Sequence, residues 1–415
     1  MQGKDSCGSM KVIVAIDSFK GCLTSKEANG AAAEGIRSVF PEAEVVEVPV
    51  SDGGEGYMEA FHAAVGGQLE EVTVRDPLMR PITAKYLLHN EMAVIEIAKA
   101  SGLTLLAKEE RNPMVATSYG TGQLVADAVR KGAKQIIIGL GGSATSDAGV
   151  GMLRALIDTF ARHGRWDDIE VLKNVSFTIA SDVKNPLCGE NGAAHVFAPQ
   201  KGATPDMVGL LDERARTFAE VSARHFGYDC SGMEGAGAAG GLGYAFMQYM
   251  DSRSRHHHPP ESYLSATEGE KTDVACMPGI KLLLESIHFD EVVKDADLIF
   301  TGEGAADRQT LMGKLPLGIL QQAGRQADNG TSLPEKEKKY VPVCLIAGRV
   351  DDREELLRAG FFSVDCINQD EDGTSPAGLT LEEAMRKDVA RQNIARTVGR
   401  VVKSLAHLST SCPIY

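Results

Sequence analysis

The sequence predicts an α/β protein of about two domains. Three observations carry that expectation. The strongest apolar runs are continuous, not alternating, as expected of strands buried on both faces of a parallel sheet. They alternate along the chain with stretches of helical period. At 415 residues the chain is also too long for one ordinary hydrophobic core.

Taken in order, KVIVAID (11–17) reads as a strand leading to a helix near 25–39, where Thr24 and Glu27 have the spacing of a capping box. EVVEVPV (44–50) is a second strand, followed by a helix near 56–65. AVIEIA (93–98) is a third, and a helix near 122–131 starts after Thr121 and stops at Gly132. QIIIGL (135–140) and VSFTIASD (175–182) continue the series, and ADLIFTG (296–302), VPVCLIAG (341–348) and FFSVDCI (361–367) complete it. Residues 251–275 are polar and proline-containing and read as an inserted flexible loop; its three histidines, His256 to His258, are adjacent and so share no face of a regular element. ADNGTSLPEKEKKY (327–340) reads as a polar connection.

The net charge of −14 argues against a nucleic-acid partner or an anionic-membrane surface, while leaving room for a local basic pocket. The eight cysteines form no C-x-x-C pair and read as reduced thiols of a cytoplasmic protein. No apolar run approaches the ~20 residues that span a bilayer, and no signal peptide is visible before the first strand.

Most strand ends carry glycine together with an acid, an amide or a lysine, and ligands of open α/β sheets sit at the carboxyl ends of strands. Five loops stand out. DSFKG (17–21) offers Asp17, Ser18 and Lys20; SDGGEG (51–56) offers Asp52 and Glu55. GLGGSATSDAGVG (139–151) offers a flexible backbone with Ser143, Thr145 and Ser146. SDVKNPLCGENGA (181–193) with APQKGAT (198–204) offers Asp182, Asn185 and Lys201. TGEGAADRQTLMGKLPLG (301–318) offers Glu303, Asp307 and Lys314. Helix-capping turns or buried-turn packing would explain several of these equally well. GAGAAG (235–240) satisfies G-x-G-x-x-G, but no strand precedes it, so the dinucleotide-binding context fails.

Lysines, clustered carboxylates and glycine loops together suit phosphoryl transfer, in which cations cancel developing charge and a carboxylate takes a hydroxyl proton. A nicotinamide-dependent oxidoreductase using Gly139-x-Gly141-x-x-Ala144, or a protein that binds sugar acids, remains open on residue types alone.

In order along the chain, IDSFKG, VPVSDGGEG, TSYGTGQL, IIIGLGGSATSDAGVGM, SDVKNPLCGENGA, PQKGAT, EGAGAAGGLG and TGEGAADRQTLMGK resemble the bacterial-type (type-1) glycerate kinase family. The resemblance covers nearly the whole chain. It implies a Rossmann-like parallel-sheet domain built from residues 10–70 and 290–415, with a second α/β domain, 71–289, inserted, and a site in a cleft between them. It implies ATP and Mg²⁺ as cofactors and D-glycerate as the small-molecule substrate. 2-Phosphoglycerate is the expected product, with 3-phosphoglycerate or another small hydroxy acid as alternatives. A homo-oligomer is compatible with it.

On that resemblance, the expected catalytic residues are Asp182 as base with Lys20, Asp307 and Lys314. Asp17, Ser18, Asp52, Glu55, Asn185, Lys201 and Gln309 are expected at the substrate. Gly141, Gly142, Ser143, Thr145, Gly237, Gly240 and Glu303 are expected at the nucleotide, and Asp52 and Glu303 at the metal. The chain departs from the family pattern at DTFARHGRWDDIEVLKNV, in the 251–275 loop and at Arg308, where smaller residues are usual.

Overall fold

A computed structural model describes residues 10–54, 56–251, 274–325, 341–369 and 378–411. Glu55, most of the 251–275 segment with its histidines, and all of the 327–340 connection lie outside the described residues. The eleven strands among the described residues are β1 (Lys11–Ile16), β2 (Glu44–Glu47), β3 (Gln68–Arg75), β4 (Pro81–His89), β5 (Met92–Glu96), β6 (Gln135–Gly139), β7 (Ser176–Ala180), β8 (Ala275–Met277), β9 (Leu298–Ala306), β10 (Val343–Val350) and β11 (Ser363–Cys366). The longer helices are α1 (Ser25–Val39), α2 (Tyr57–Val65), α3 (Tyr119–Arg130), α4 (Val150–Phe160), α5 (Pro205–Phe226), α6 (Ala238–Tyr249), α7 (Gly279–Ser286), α8 (Leu315–Arg325) and α9 (Lys387–Ser411).

The chain divides into two compact units, Met1–Asp52 with Ile280–Tyr415, and Gly53–Gly279. The division falls earlier than the expected 70/71 and 289/290 boundaries. Helix α2 goes with the inserted unit because the Tyr57 hydroxyl donates to the Gly279 carbonyl at 2.9 Å and the Met58 N–H to the Glu96 carboxylate at 2.7 Å.

In the first unit the sheet order is β11-β10-β9-β1-β2, with every pair parallel. Numbered within the unit, this is the doubly wound order 2-1-3-4-5, whose direction reverses between β1 and β9. The central strands are apolar throughout, from Val12 to Ile16 in β1 and from Leu298 to Phe300 in β9, because helices cover both sheet faces. Helix α1 begins at the expected capping box: Thr24 Oγ1 accepts from the Glu27 N–H at 3.2 Å, and the Glu27 carboxylate accepts from the Thr24 N–H at 2.8 Å.

The second unit carries a six-stranded sheet, β3-β4-β5-β6-β7-β8. It is parallel from β5 to β8, but β3 and β4 pair antiparallel, and β4 with β5 likewise. Neither β3 nor β4 is expected from the sequence. Strand β3, QLEEVTVR, lies at the sheet edge with a largely exposed pattern, so it lacks the continuous apolar run that marks a buried strand. Asp76 shapes the turn to β4 by accepting from the Leu78 and Arg80 N–H groups and pairing with the Arg80 guanidinium at 2.6 Å. No helix among the described residues is long and apolar enough to cross a membrane.

Candidate active site

In the first unit the topological switch point is also where the predicted side chains gather. Strand β1 ends at Ile16, and the Asp17 N–H extends the ladder to the Gly302 carbonyl at 2.9 Å. Strand β9 runs to Ala306, past the expected end at 302, because its pairing with β10 continues to Ala306 opposite Val350. Glu303 therefore projects from a rigid strand and not from a loop. A cavity of about 440 Å³ opens here, lined by Asp17, Ser18, Lys20, Asp52, Glu303 and Lys314 among others. SDGGEG and TGEG thus contribute an acid each to one cavity.

The electrostatics are unusual for carboxylates. Asp17 is 7% exposed, and its Oδ1 accepts from the Ser18 N–H at 2.7 Å. Burial pushes its carboxyl up to about 7; repulsion from Asp52 adds to this, the Ser18 hydrogen bond and Lys20 oppose it, and Glu303 adds a smaller push. Burial also raises Glu303, against the Thr310 hydroxyl that donates to it at 2.6 Å and the Lys314 ammonium at 3.5 Å. Lys20 is exposed and Lys314 half-buried, so both ammonium groups can meet an anion without full desolvation.

Asp307 and Gln309 sit elsewhere. Asp307 caps the short 3₁₀ helix Arg308–Met312: its Oδ1 accepts from the Gln309 N–H at 2.7 Å, and its N–H donates to Thr310 Oγ1 at 3.1 Å. Neither lines the cavity. The cap matters indirectly, because it presents Thr310 to Glu303. Arg308 turns to the Glu355 carboxylate, with Nε donating at 2.7 Å. Asn368 and Arg349 line the cavity and are not among the residues expected from the sequence. Neither fits the pattern of glycine with an acid, an amide or a lysine that flagged the others: Arg349 lies inside β10, and Asn368, though an amide just after β11, has no glycine beside it.

In the second unit the glycine loops are packed by the protein itself. Gly141 lies so close to the Gly54 backbone that a Cβ would come within 2.7 Å of its Cα, and a Cβ on Gly237 would come within 2.3 Å of the Pro186 carbonyl oxygen. Gly142 takes a left-handed φ of +73°. The Ser143 hydroxyl accepts from the Thr145 N–H at 3.1 Å and reaches the Ala239 carbonyl at 3.3 Å. Helix α4 begins only at Val150, so the Gly139-x-Gly141-x-x-Ala144 stretch does not open directly into a helix as a dinucleotide fingerprint does. The element directly before GAGAAG is helix α5, not a strand.

Lys201 is 3% exposed, and its ammonium donates to the Thr145 carbonyl at 2.7 Å. Burial lowers it to about 8, with Asp147 opposing. Asp182 is exposed and adds to the burial that raises the Cys276 thiol. The Asn185 side-chain amide donates to the Asn191 carbonyl at 2.8 Å. Lys201→Gln keeps a donor for Thr145 while removing the charge. We expect stability to change by about 1 kcal/mol or less. A kcat drop of about tenfold or more in the folded variant would mark the ammonium as a ligand contact, and unchanged kcat and KM would make it a structural tether.

Among the described residues no group of three or more His, Cys, Asp or Glu side chains is placed to hold a metal ion unaided. The six described cysteines are free thiols.

The sequence matches the model of the glycerate kinase family over residues 12–258 and 270–406. It is 36% identical to a glycerate kinase of Bacillus subtilis (strain 168), over 95% of this chain and 98% of that one. It is 35% identical to the glycerate 2-kinase of Escherichia coli (strain K12), over 96% and 98%. A crystal structure of a proposed glycerate kinase 2 from Salmonella typhimurium LT2 matches with a TM-score of 0.74 at 32% identity, covering 97% of this chain and all of that one. With its doubly wound unit, its acid-and-lysine cavity and these matches along its length, the chain belongs to the glycerate kinase family.

Proposed function

We propose that the protein transfers the γ-phosphoryl group of ATP to the 2-hydroxyl of D-glycerate, with Mg²⁺ as cofactor. The observation that carries the reading is the switch-point cavity on which Asp17, Lys20, Asp52, Glu303 and Lys314 meet, where burial raises the Asp17 carboxyl to about 7. A base titrating near the working pH combines ionisation with proton affinity. Asp17 therefore takes the base role in this proposal, in place of the exposed Asp182. It accepts the glycerate hydroxyl proton as the oxygen attacks phosphorus, and the leaving group is ADP.

Lys20 and Lys314 cancel charge on the transferring group and on the glycerate carboxylate. The donor set also fits a hard divalent cation. Repulsion between Asp17 and Asp52 is the kind of excess negative charge that a cation relieves, and Mg²⁺ characteristically uses one or two carboxylates together with substrate phosphates. Asp52 and Glu303 would hold it; when bound, it would neutralise phosphate charge. Glu303 is kept in place for that by Thr310 and Lys314. The 2-position is supported by the Escherichia coli relative, a glycerate 2-kinase.

The test is ³¹P NMR of the product formed from ATP, Mg²⁺ and D-glycerate. A 2-phosphoglycerate resonance is expected. A 3-phosphoglycerate resonance would overturn the regiochemistry, and no turnover would overturn the substrate.

A further inference from the structure

The cavity at the ends of β1 and β9 is lined by two kinds of side chain. Acids and lysines are one. The other is apolar: Leu381, Ala384 and Met385, from one turn, form a wall, and Phe19 and Ile367 add to the lining. Leu381 is 78% exposed and Met385 41%. Apolar side chains gathered on a cavity wall lose unfavourable hydration when a ligand covers them.

This wall is held in shape. The Thr380 hydroxyl accepts from the Glu383 N–H at 3.3 Å, and the Glu383 carboxylate accepts from the Thr380 N–H at 2.8 Å, capping the turn Leu381–Ala384. The Met385 methyl lies over Gly21, whose φ of +74° suits glycine and where a Cβ would sit 3.5 Å from that methyl. Lys387, at the start of α9, pairs with Glu27 of α1 at 3.0 Å.

Glycerate has a polar group on each of its three carbons, so it offers this wall nothing to cover. A cavity of about 440 Å³ is also roomier than such a molecule needs. The phosphoryl donor is the reactant with a flat, weakly hydrated face. Resting on the kinase reading above, we propose that Leu381, Ala384 and Met385 form the nucleobase subsite, with the purine of the donor packed on them and its phosphates directed to Lys20 and Lys314. Asn368 stands on the same cavity with its amide fixed at both ends: Nδ2 donates to the Gly348 carbonyl at 2.8 Å, and Oδ1 accepts from Asn393 at 3.1 Å. It gives the ring edge a polar neighbour of set orientation. The nucleotide then belongs to the unit of β1, while the glycine loops at 141–145 and 237–240 serve packing in the other unit.

The experiment is calorimetric titration of ADP and, separately, of inorganic tripolyphosphate into the intact protein and two variants. Ala384→Trp fills the wall; Leu381→Asp places a charge on it at a side chain too exposed to support the fold. Both are expected to weaken ADP about tenfold or more, a factor equal to about 1.4 kcal/mol, with tripolyphosphate unchanged. KM for ATP should rise in parallel while KM for glycerate stays the same. Unchanged ADP affinity in Leu381→Asp overturns the subsite, as does an equal loss of ADP and tripolyphosphate, or no ADP binding by the unmodified protein. If the unmodified protein binds ADP through this wall yet phosphorylates no glycerate, the substrate reading fails and the subsite stands.

Discussion

Asp17→Asn is expected to lower kcat by about 10²–10⁴-fold, the usual cost of losing a general base, and at the same time to stabilise the protein at pH 8. The amide keeps an oxygen for the Ser18 N–H and removes a buried charge that faces Asp52 and Glu303. The folded carboxyl titrates near 7 and the unfolded one near 3.8. Between those values the folded state holds the proton and the unfolded state does not. Stability from this group is therefore complete below 3.8 and is lost as pH rises through about 7. The variant has no such titration, so its advantage over the parent grows across that window and then levels, to on the order of 4 kcal/mol for the full shift. Calorimetric melting at pH 5 and pH 8 reads it. In the parent, kcat/KM for glycerate should fall as pH drops through the Asp17 titration, which a cation on Asp52 moves below its metal-free position; the residual activity of the variant should lack that limb. Asp182→Asn is the control and should retain kcat within a few-fold. A loss of 10²-fold there, with Asp17→Asn active, would return the base to Asp182.

Gly240→Ala is expected to cost the second unit about 3 kcal/mol or more, or to prevent folding. Gly240 has φ +69°, and a Cβ there would lie 2.0 Å from the Thr145 carbonyl oxygen. Backbone cannot yield as a flexible side chain can, and that same oxygen accepts from Lys201 at 2.7 Å. One methyl group would strain the left-handed turn, push the two loops away from each other and disturb a buried ammonium together. Gly209→Ala supplies the contrast. It lies inside α5 with nothing within 4 Å of its Cβ position, and alanine there should stabilise by about 0.5–1 kcal/mol. Urea unfolding separates the variants. A Gly240→Ala protein within 1 kcal/mol of the parent would show that the loops yield cheaply.

Burial and hydrogen-bond partners separate the candidate residues that sequence spacing treats alike. Lys20, Lys201 and Lys314 all stand in glycine-containing loop stretches. Folding leaves the first exposed and the third half-buried on a cavity, and buries the second against a carbonyl. Asp307 reads as chemistry from its neighbours, yet its carboxylate is used as a helix cap. The glycines at 141, 237 and 240 suggest room for a phosphate, but the chain's own backbone occupies the space beside each.

Sequence alone carries the strands that are buried on both faces, the capped start of α1, and the acids, amides and lysines at the strands' carboxyl ends. Each is a local property: a continuous apolar run, a three-residue spacing, or a polar group placed where a strand must stop. The edge hairpin β3–β4, the extension of β9 through Glu303 and the order β11-β10-β9-β1-β2 emerge only on folding. So does the nearly neutral range of Asp17. Strand pairing and burial depend on residues hundreds of positions apart, such as Asp17 and Gly302 across the β1–β9 ladder, and no window of sequence contains both.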